Sequence, residues 1–162
     1  MINDKMTKAL NVQMNKEFYN SRLYLSMATF FHDINMDGAA SWMEKQAEEE
    51  TEHAMKLYNY LKDRGARILL TEVPAPPTSW ASPLAAFEDA YKHECDVTKE
   101  IDDLVELARS LKDNATLNFL QWFVDEQVEE EASTDAVVQK LKMASQGGHC
   151  ALFFMDRMLG ER

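Results

Sequence analysis

The sequence predicts an all-α protein: a four-helix bundle with one long crossover and a short fifth helix at its C-terminal end. Three observations carry that expectation. Four long segments repeat apolar side chains at spacings of three and four, the mark of amphipathic helices. Glycine (5) and proline (4) are scarce among 162 residues, which suits uninterrupted helices and disfavours a turn-rich β fold. All four prolines, Pro74, Pro76, Pro77 and Pro83, lie in or directly after one stretch between the second and third segments.

The first helix is expected over about residues 4–34, with Leu10, Met14, Ser21, Tyr24, Ala28 and Phe31 on its stripe. The short break Asn35-Met36-Asp37-Gly38 makes the second helix an antiparallel neighbour. That helix covers about 39–65, with Met43, Ala47, Leu57 and Tyr60 on its stripe and Gly65 as its stop. Residues 67–82 then break the period. These sixteen residues, extended, reach about 55 Å, and a helix of about 28 residues is about 42 Å long. The connection can therefore travel the length of a bundle, so the third helix starts at the end opposite to where the second stopped. Ser82-Pro83 opens it with a cap residue and a proline at the first helical position. It runs over about 83–111, with Leu84, Phe87, Tyr91, Ile101, Leu104 and Leu111 on its stripe. After a break at Lys112-Asp113-Asn114, the fourth helix covers about 114–145 through Leu120, Phe123, Val137, Leu141 and Ala144. Gly147-Gly148 ends it, and a fifth helix is expected over 149–159. Neither half of the chain can close a core alone, so residues 1–162 read as one domain.

A hydrophobic content of 46 % is enough for a sizeable core. The net charge of −11 disfavours nucleic-acid binding; it draws cations, or merely keeps the surface soluble. The N-terminus has no apolar signal core and no apolar run spans a bilayer, so no membrane partner is expected. Cys95 and Cys150 lie far apart and read as reduced thiols of a cytoplasmic protein.

Against this background the acidic residues on the apolar stripes stand out. Glu50 and His53 form a Glu-x-x-His pair on one helical face, between Met43 and Leu57. Glu17 lies between Met14 and Tyr24, Glu94 between Phe87 and Ile101, and Gln127 and Glu130 between Phe123 and Val137. Each is roughly 16–24 Å along its helix axis, so antiparallel packing gathers them at mid-height. Buried carboxylates cost several kcal/mol unless paired. They can be polar positions that set bundle register or pair with lysines, but lysine and arginine are nearly absent from these stripes. Two divalent cations answer the problem directly: four glutamates, one imidazole and one amide oxygen suit iron or manganese better than structural zinc.

The quoted residues, within Met14-Asn15-Lys16-Glu17-Phe18-Tyr19, Glu49-Glu50-Thr51-Glu52-His53, Tyr91-Lys92-His93-Glu94 and Glu126-Gln127-Val128-Glu129-Glu130-Glu131, resemble those of a bacterial non-haem ferritin of the ferritin-like di-iron family. So does Asn118-Phe119-Leu120-Gln121-Trp122-Phe123, and the likeness covers nearly the whole chain. The resemblance implies an iron-storage subunit with ferroxidase activity, oxidising Fe(II) with O2 or H2O2 and depositing ferric mineral inside a 24-subunit cage. It assigns Glu17, Glu50 and His53 to the first iron, with Glu50 bridging, and Glu94 and Glu130 to the second, with Gln127 beside the pair. It gives Glu49, Glu126 and Glu129 to a third iron position, although without it they read as solvated helix faces. Tyr24 matches a tyrosine that supplies an electron, and packing alone also explains it.

Trp122 reads as a core residue, and His32, His93 and His149 as surface or packing histidines. Haem is not expected, because Thr51 replaces the methionine that ligates it in bacterioferritins and the fourth helix carries Gln127-x-x-Glu130. Two rivals remain. A non-storing di-iron oxidoreductase such as a rubrerythrin-like peroxidase usually carries a four-cysteine iron site, which two cysteines cannot build. A purely structural bundle has the mid-core glutamates against it. The apolar face of the fifth helix, Leu152, Phe153, Met155 and Leu159, is expected to meet a neighbouring subunit rather than water.

Overall fold

The computed structural model describes residues 2–161. The helices are α1 (Asp4–Asp33), α2 (Asp37–Asp63), α3 (Pro83–Ser110), α4 (Asn114–Ala144) and α5 (Gly148–Leu159), with no strand among the described residues. Local chemistry fixes most of their ends. Asn3 and Asp113 accept the N–H of Lys5 (2.8 Å) and of Thr116 (3.1 Å), and Ser82 Oγ accepts that of Ala85 (3.1 Å), capping α1, α4 and α3. Gly65 takes a left-handed φ of 66° directly after α2, where a side chain would be strained.

The start of α2 differs from the expectation. Asp37 and Gly38 are helical rather than part of the break, and Met36 provides no side-chain cap. The cap comes from α5: Asp156 Oδ1 accepts the N–H of Ala39 at 2.8 Å. Gly38 allows that approach, because a Cβ there would lie 1.8 Å from the Asp156 carbonyl oxygen.

α1 packs along α2, and α3 along α4, each pair antiparallel; α1 also meets α3. α2 faces α4 through side chains, with Tyr60 stacked on Phe119 at 3.8 Å between ring centroids. The crossover runs the length of α1. Near one end Asn11 donates to the Arg67 carbonyl (3.0 Å) and accepts from the Leu69 N–H (2.7 Å). One turn on, Asn15 does the same with Leu69 (2.8 Å) and Thr71 (2.9 Å). At the other end Trp80 packs on Phe30, with centroids 5.5 Å apart. Two asparagine amides thus supply the partners that an extended, proline-rich segment lacks in the absence of a sheet.

The apolar core forms two clusters. One holds Tyr24, Met27, Phe31, Trp42, Met43 and Phe87; the other holds Met14, Leu10, Leu57, Ile101, Leu120 and Phe123. Polar side chains occupy the level between them.

α5 corrects one expectation. Met155 and Leu159 are buried and Leu152 packs beside them on the protein's own bundle, against α2 and α4. Phe153, expected on the same face, is instead 67 % exposed, as is its neighbour Phe154 (68 %). Spacings of three and four align 152, 155 and 159, which leaves position 153 on another face. No helix among the described residues is long and apolar enough to cross a membrane.

Candidate metal centre

Each of the four long helices sends buried polar side chains into the level between the apolar clusters. α1 contributes Gln13, Glu17 and Asn20; α2 contributes Gln46, Glu50 and His53; α3 contributes Glu94; α4 contributes Gln127 and Glu130. All are buried.

Two groups of ligand-type atoms form there, the atoms of each lying within 4.8 Å of one another. Glu17, Glu50 and His53 make the first; His53, Glu126 and Glu130 make the second. His53 belongs to both because its two ring nitrogens face opposite ways: Nδ1 is 3.6 Å from Glu50 and Nε2 is 3.9 Å from Glu126. Glu94 belongs to neither group. Its carboxylate accepts from the Tyr24 hydroxyl and from Gln127 Nε2 (3.2 Å), so Tyr24 and Gln127 sit at its edge. Its charge is nonetheless close enough to raise the pKa of Glu50.

The electrostatics are those of crowded buried acids. Burial, then the charge of Glu50, pushes the Glu17 carboxyl well above the ordinary range. Burial and the charge of Glu94 do the same to Glu50. Glu94 and Glu130 are pushed up to about 7, again chiefly by burial. Burial and Glu94 raise Tyr24 as well. Apart from His53, the partners that stabilise these carboxylates are neutral donors. Gln13 Nε2 binds Glu17 at 2.8 Å, Asn20 Nδ2 binds Glu17 at 2.8 Å and Glu50 at 3.2 Å, and Gln46 Nε2 binds Glu130 at 2.7 Å. Among the described residues no lysine or arginine forms an ion pair with Glu17, Glu50, Glu94 or Glu130. The missing positive charge must come from protons or from cations, and a set of carboxylate oxygens with one imidazole fits hard to borderline divalent ions.

Of the other residues singled out in the sequence, Glu126 is half-buried at the rim of the second group. Glu49 is half-buried, and its charge contributes to the raised pKa of Glu130. Glu129 is exposed and joins neither group. Trp122 is not a core residue. It is 36 % exposed, with one face under the Lys56 ammonium (3.9 Å) and an edge contact to His53 (5.4 Å), because Phe123 takes the inward position.

His93 is more than a packing histidine, since its Nε2 meets Asn20 Oδ1 at 2.8 Å. His32 is the exposed residue expected, paired with Asp37 and Glu44. Sequence reasoning passed over Gln13, Asn20 and Gln46. The signal was present: each lies three or four residues from a stripe glutamate, hence on the same face.

A bundle of four long helices with one crossover, acids and histidine gathered at mid-height, is the architecture of ferritin-like proteins. The family model for the ferritin-like domain matches residues 7–144. The chain is 42 % identical over 162 residues to the bacterial non-heme ferritin of Bacteroides fragilis (strain 638R), covering all of both chains. It is 40 % identical over 159 residues to that of Campylobacter jejuni, covering 98 % of this chain and 95 % of the relative. Among solved structures, an open-pore ferritin from the hyperthermophilic archaeon Archaeoglobus fulgidus superposes with a TM-score of 0.98 at 50 % identity, over 100 % of this chain and 99 % of that one. This chain belongs to the ferritin family.

Proposed function

We propose that the chain is one ferritin domain that oxidises Fe(II) and stores the ferric product. Fe(II) is its substrate, O2 or H2O2 the oxidant, and a closed homo-oligomer of twenty-four copies in the cytoplasm the container. The observation that carries this reading is the pair of ligand groups hinged on His53, buried among carboxylates that have no lysine or arginine partner among the described residues.

In this reading Glu17, Glu50 and His53 hold one Fe(II), and Glu130 with Glu94 holds the second beside Gln127. Glu50 bridges them, Tyr24 stands ready as an electron donor, and Glu49, Glu126 and Glu129 form a third position for iron passing to or from the pair. Hard carboxylate ligands favour Fe(III) over Fe(II) and so drive electron loss. Two Fe(II) give one electron each, and an O2 that takes both with two protons leaves as H2O2; an H2O2 that takes both with two protons leaves as water. Neutral amides around the carboxylates leave their charge available to the metal. Family membership supports storage, which needs an enclosed volume that one 18.6 kDa bundle lacks.

Two measurements test the reading. Rapid-mixing absorbance after adding two Fe(II) per subunit should show a fast oxidation burst. Light scattering should give about 446 kDa, twenty-four copies of 18.6 kDa. Uptake that stops at about two iron atoms per subunit would instead mark a non-storing oxidoreductase, and no uptake a structural bundle.

A further inference from the structure

We infer that Asn20, held in place by His93, is a positioning residue that clamps Glu17 and Glu50 in the arrangement in which they and His53 take the first metal ion. The inference rests on the reading of that group as a metal site.

Asn20 has one amide and three partners. Nδ2 donates to Glu17 Oε2 at 2.8 Å and to Glu50 Oε2 at 3.2 Å, and Oδ1 meets His93 Nε2 at 2.8 Å. These partners fix which way the amide points. Turned over, its oxygen would face two carboxylate oxygens. An amide oxygen only accepts, so the His93 proton sits on Nε2. The ring is held between Tyr19 and Tyr24, with centroids 6.4 Å and 6.5 Å away.

The clamp joins residues of three helices: α1 through Asn20 and Glu17, α2 through Glu50, and α3 through His93. With Gln13 on Oε1, both oxygens of Glu17 are held, which fixes the plane of its carboxylate. Each oxygen keeps a second lone pair for a metal. Glu50 is held at longer range, at 3.2 Å. A lysine in the same place would also bind both acids, but its charge would repel the incoming cation. An amide orders them without that cost. Outer partners of metal ligands typically change affinity about ten- to a hundredfold when removed.

The test is a titration of metal-free protein with Co(II), followed by its visible spectrum and by calorimetry, in wild type, N20A, H93F, the double variant, N20S, H93Q and E50A. N20A should weaken the first Co(II) about ten- to a hundredfold and change its absorption bands, with the circular dichroism of the bundle unchanged. H93F should weaken it less, H93Q should restore it through its own N–H, and the double variant should match N20A, because His93 acts only through Asn20. N20S, which keeps a single donor, should fall between wild type and N20A, and it carries the test should N20A not fold. Affinity in N20A or N20S within about twofold of wild type, or losses that add in the double variant, would overturn the clamp while the metal site stands. A wild type that takes no Co(II), or an E50A protein that takes it equally well, would overturn both.

Discussion

Replacing Glu130 with glutamine should make the metal-free protein more stable at neutral and alkaline pH, although it removes a native side chain from the core. Glu130 is 4 % exposed, and its pKa stands at about 7 against an ordinary value of 4.5, chiefly through burial and then the charge of Glu94. The folded protein therefore binds this proton more firmly than the unfolded chain does. Its contribution is fully present below about pH 4.5, falls as pH rises through the window up to about 7, and is lost above it. At about 1.4 kcal/mol for each pH unit, the gap amounts to roughly 3 kcal/mol of destabilisation at pH 8.

Glutamine has no charge to desolvate, and its carbonyl oxygen can still accept from Gln46, now 2.7 Å from Glu130. Its NH2 group needs a partner, which offsets about 1 kcal/mol. Relief of repulsion on Glu50, whose pKa Glu130 also raises, works the other way. At about 2–4 °C per kcal/mol, the net gain corresponds to roughly 4–12 °C in melting temperature near pH 8, shrinking to little near pH 5. Chelator-treated wild type and E130Q would be melted by circular dichroism at equal subunit concentration, because assembly makes the midpoint concentration-dependent. Added Zn(II) should invert the order, since wild type alone keeps the full ligand set and gains about 4.1 kcal/mol at a thousandfold excess over Kd. An E130Q protein that melts at or below wild type near pH 8 without metal, or a difference that does not shrink towards pH 5, would refute the account of buried, cation-seeking carboxylates.

Glu50→Ala or His53→Ala should abolish the fast phase of Fe(II) oxidation in rapid mixing while leaving the helical circular dichroism intact; wild-type rates in both would remove them from the site. Glu126→Ala, beside His53, should perturb the oxidation burst and later turnover more than Glu129→Ala, whose side chain is exposed; the iron–oxygen stoichiometry measured for each variant checks this order. Asn11→Ala or Asn15→Ala should each cost about 1–3 kcal/mol and free the crossover locally, so amide exchange at Leu69 and Thr71 respectively should speed up while exchange in α2 stays slow. Gly38→Ala should push α5 away from the start of α2, lowering the melting temperature and exposing Met155 and Leu159 to a hydrophobic dye.

The difference between what could and could not be read from the sequence follows from what each feature leaves in it. A stripe such as Leu10, Met14, Tyr24 and Phe31 repeats at the helical period, and all four side chains are fully buried. A glutamate on such a stripe violates the pattern at a cost of several kcal/mol, so Glu17, Glu50, Glu94 and Glu130 announced themselves, and the four helices do bring them to one level. Gln13, Asn20 and Gln46 lie on the same faces but carry no charge, so only their spacing of three or four from a stripe glutamate marked them as the donors that hold those acids. His93 lies off the stripe and gained its place only through Asn20. The cap of α2 by Asp156 spans 117 positions of chain, and Asn11 and Asn15 bind backbone atoms, which are the same for every residue and leave no trace in composition. The expectation for α5 went wrong for a related reason: with Leu152, Phe153, Phe154, Met155, Met158 and Leu159 in one short helix, apolar side chains point nearly all round. Periodicity alone then cannot choose which of them meets the bundle. Gly38 decides it, by letting the Asp156 backbone come within reach and fixing the rotation of α5 on α2, so that the side carrying Phe153 and Phe154 is the one left outside.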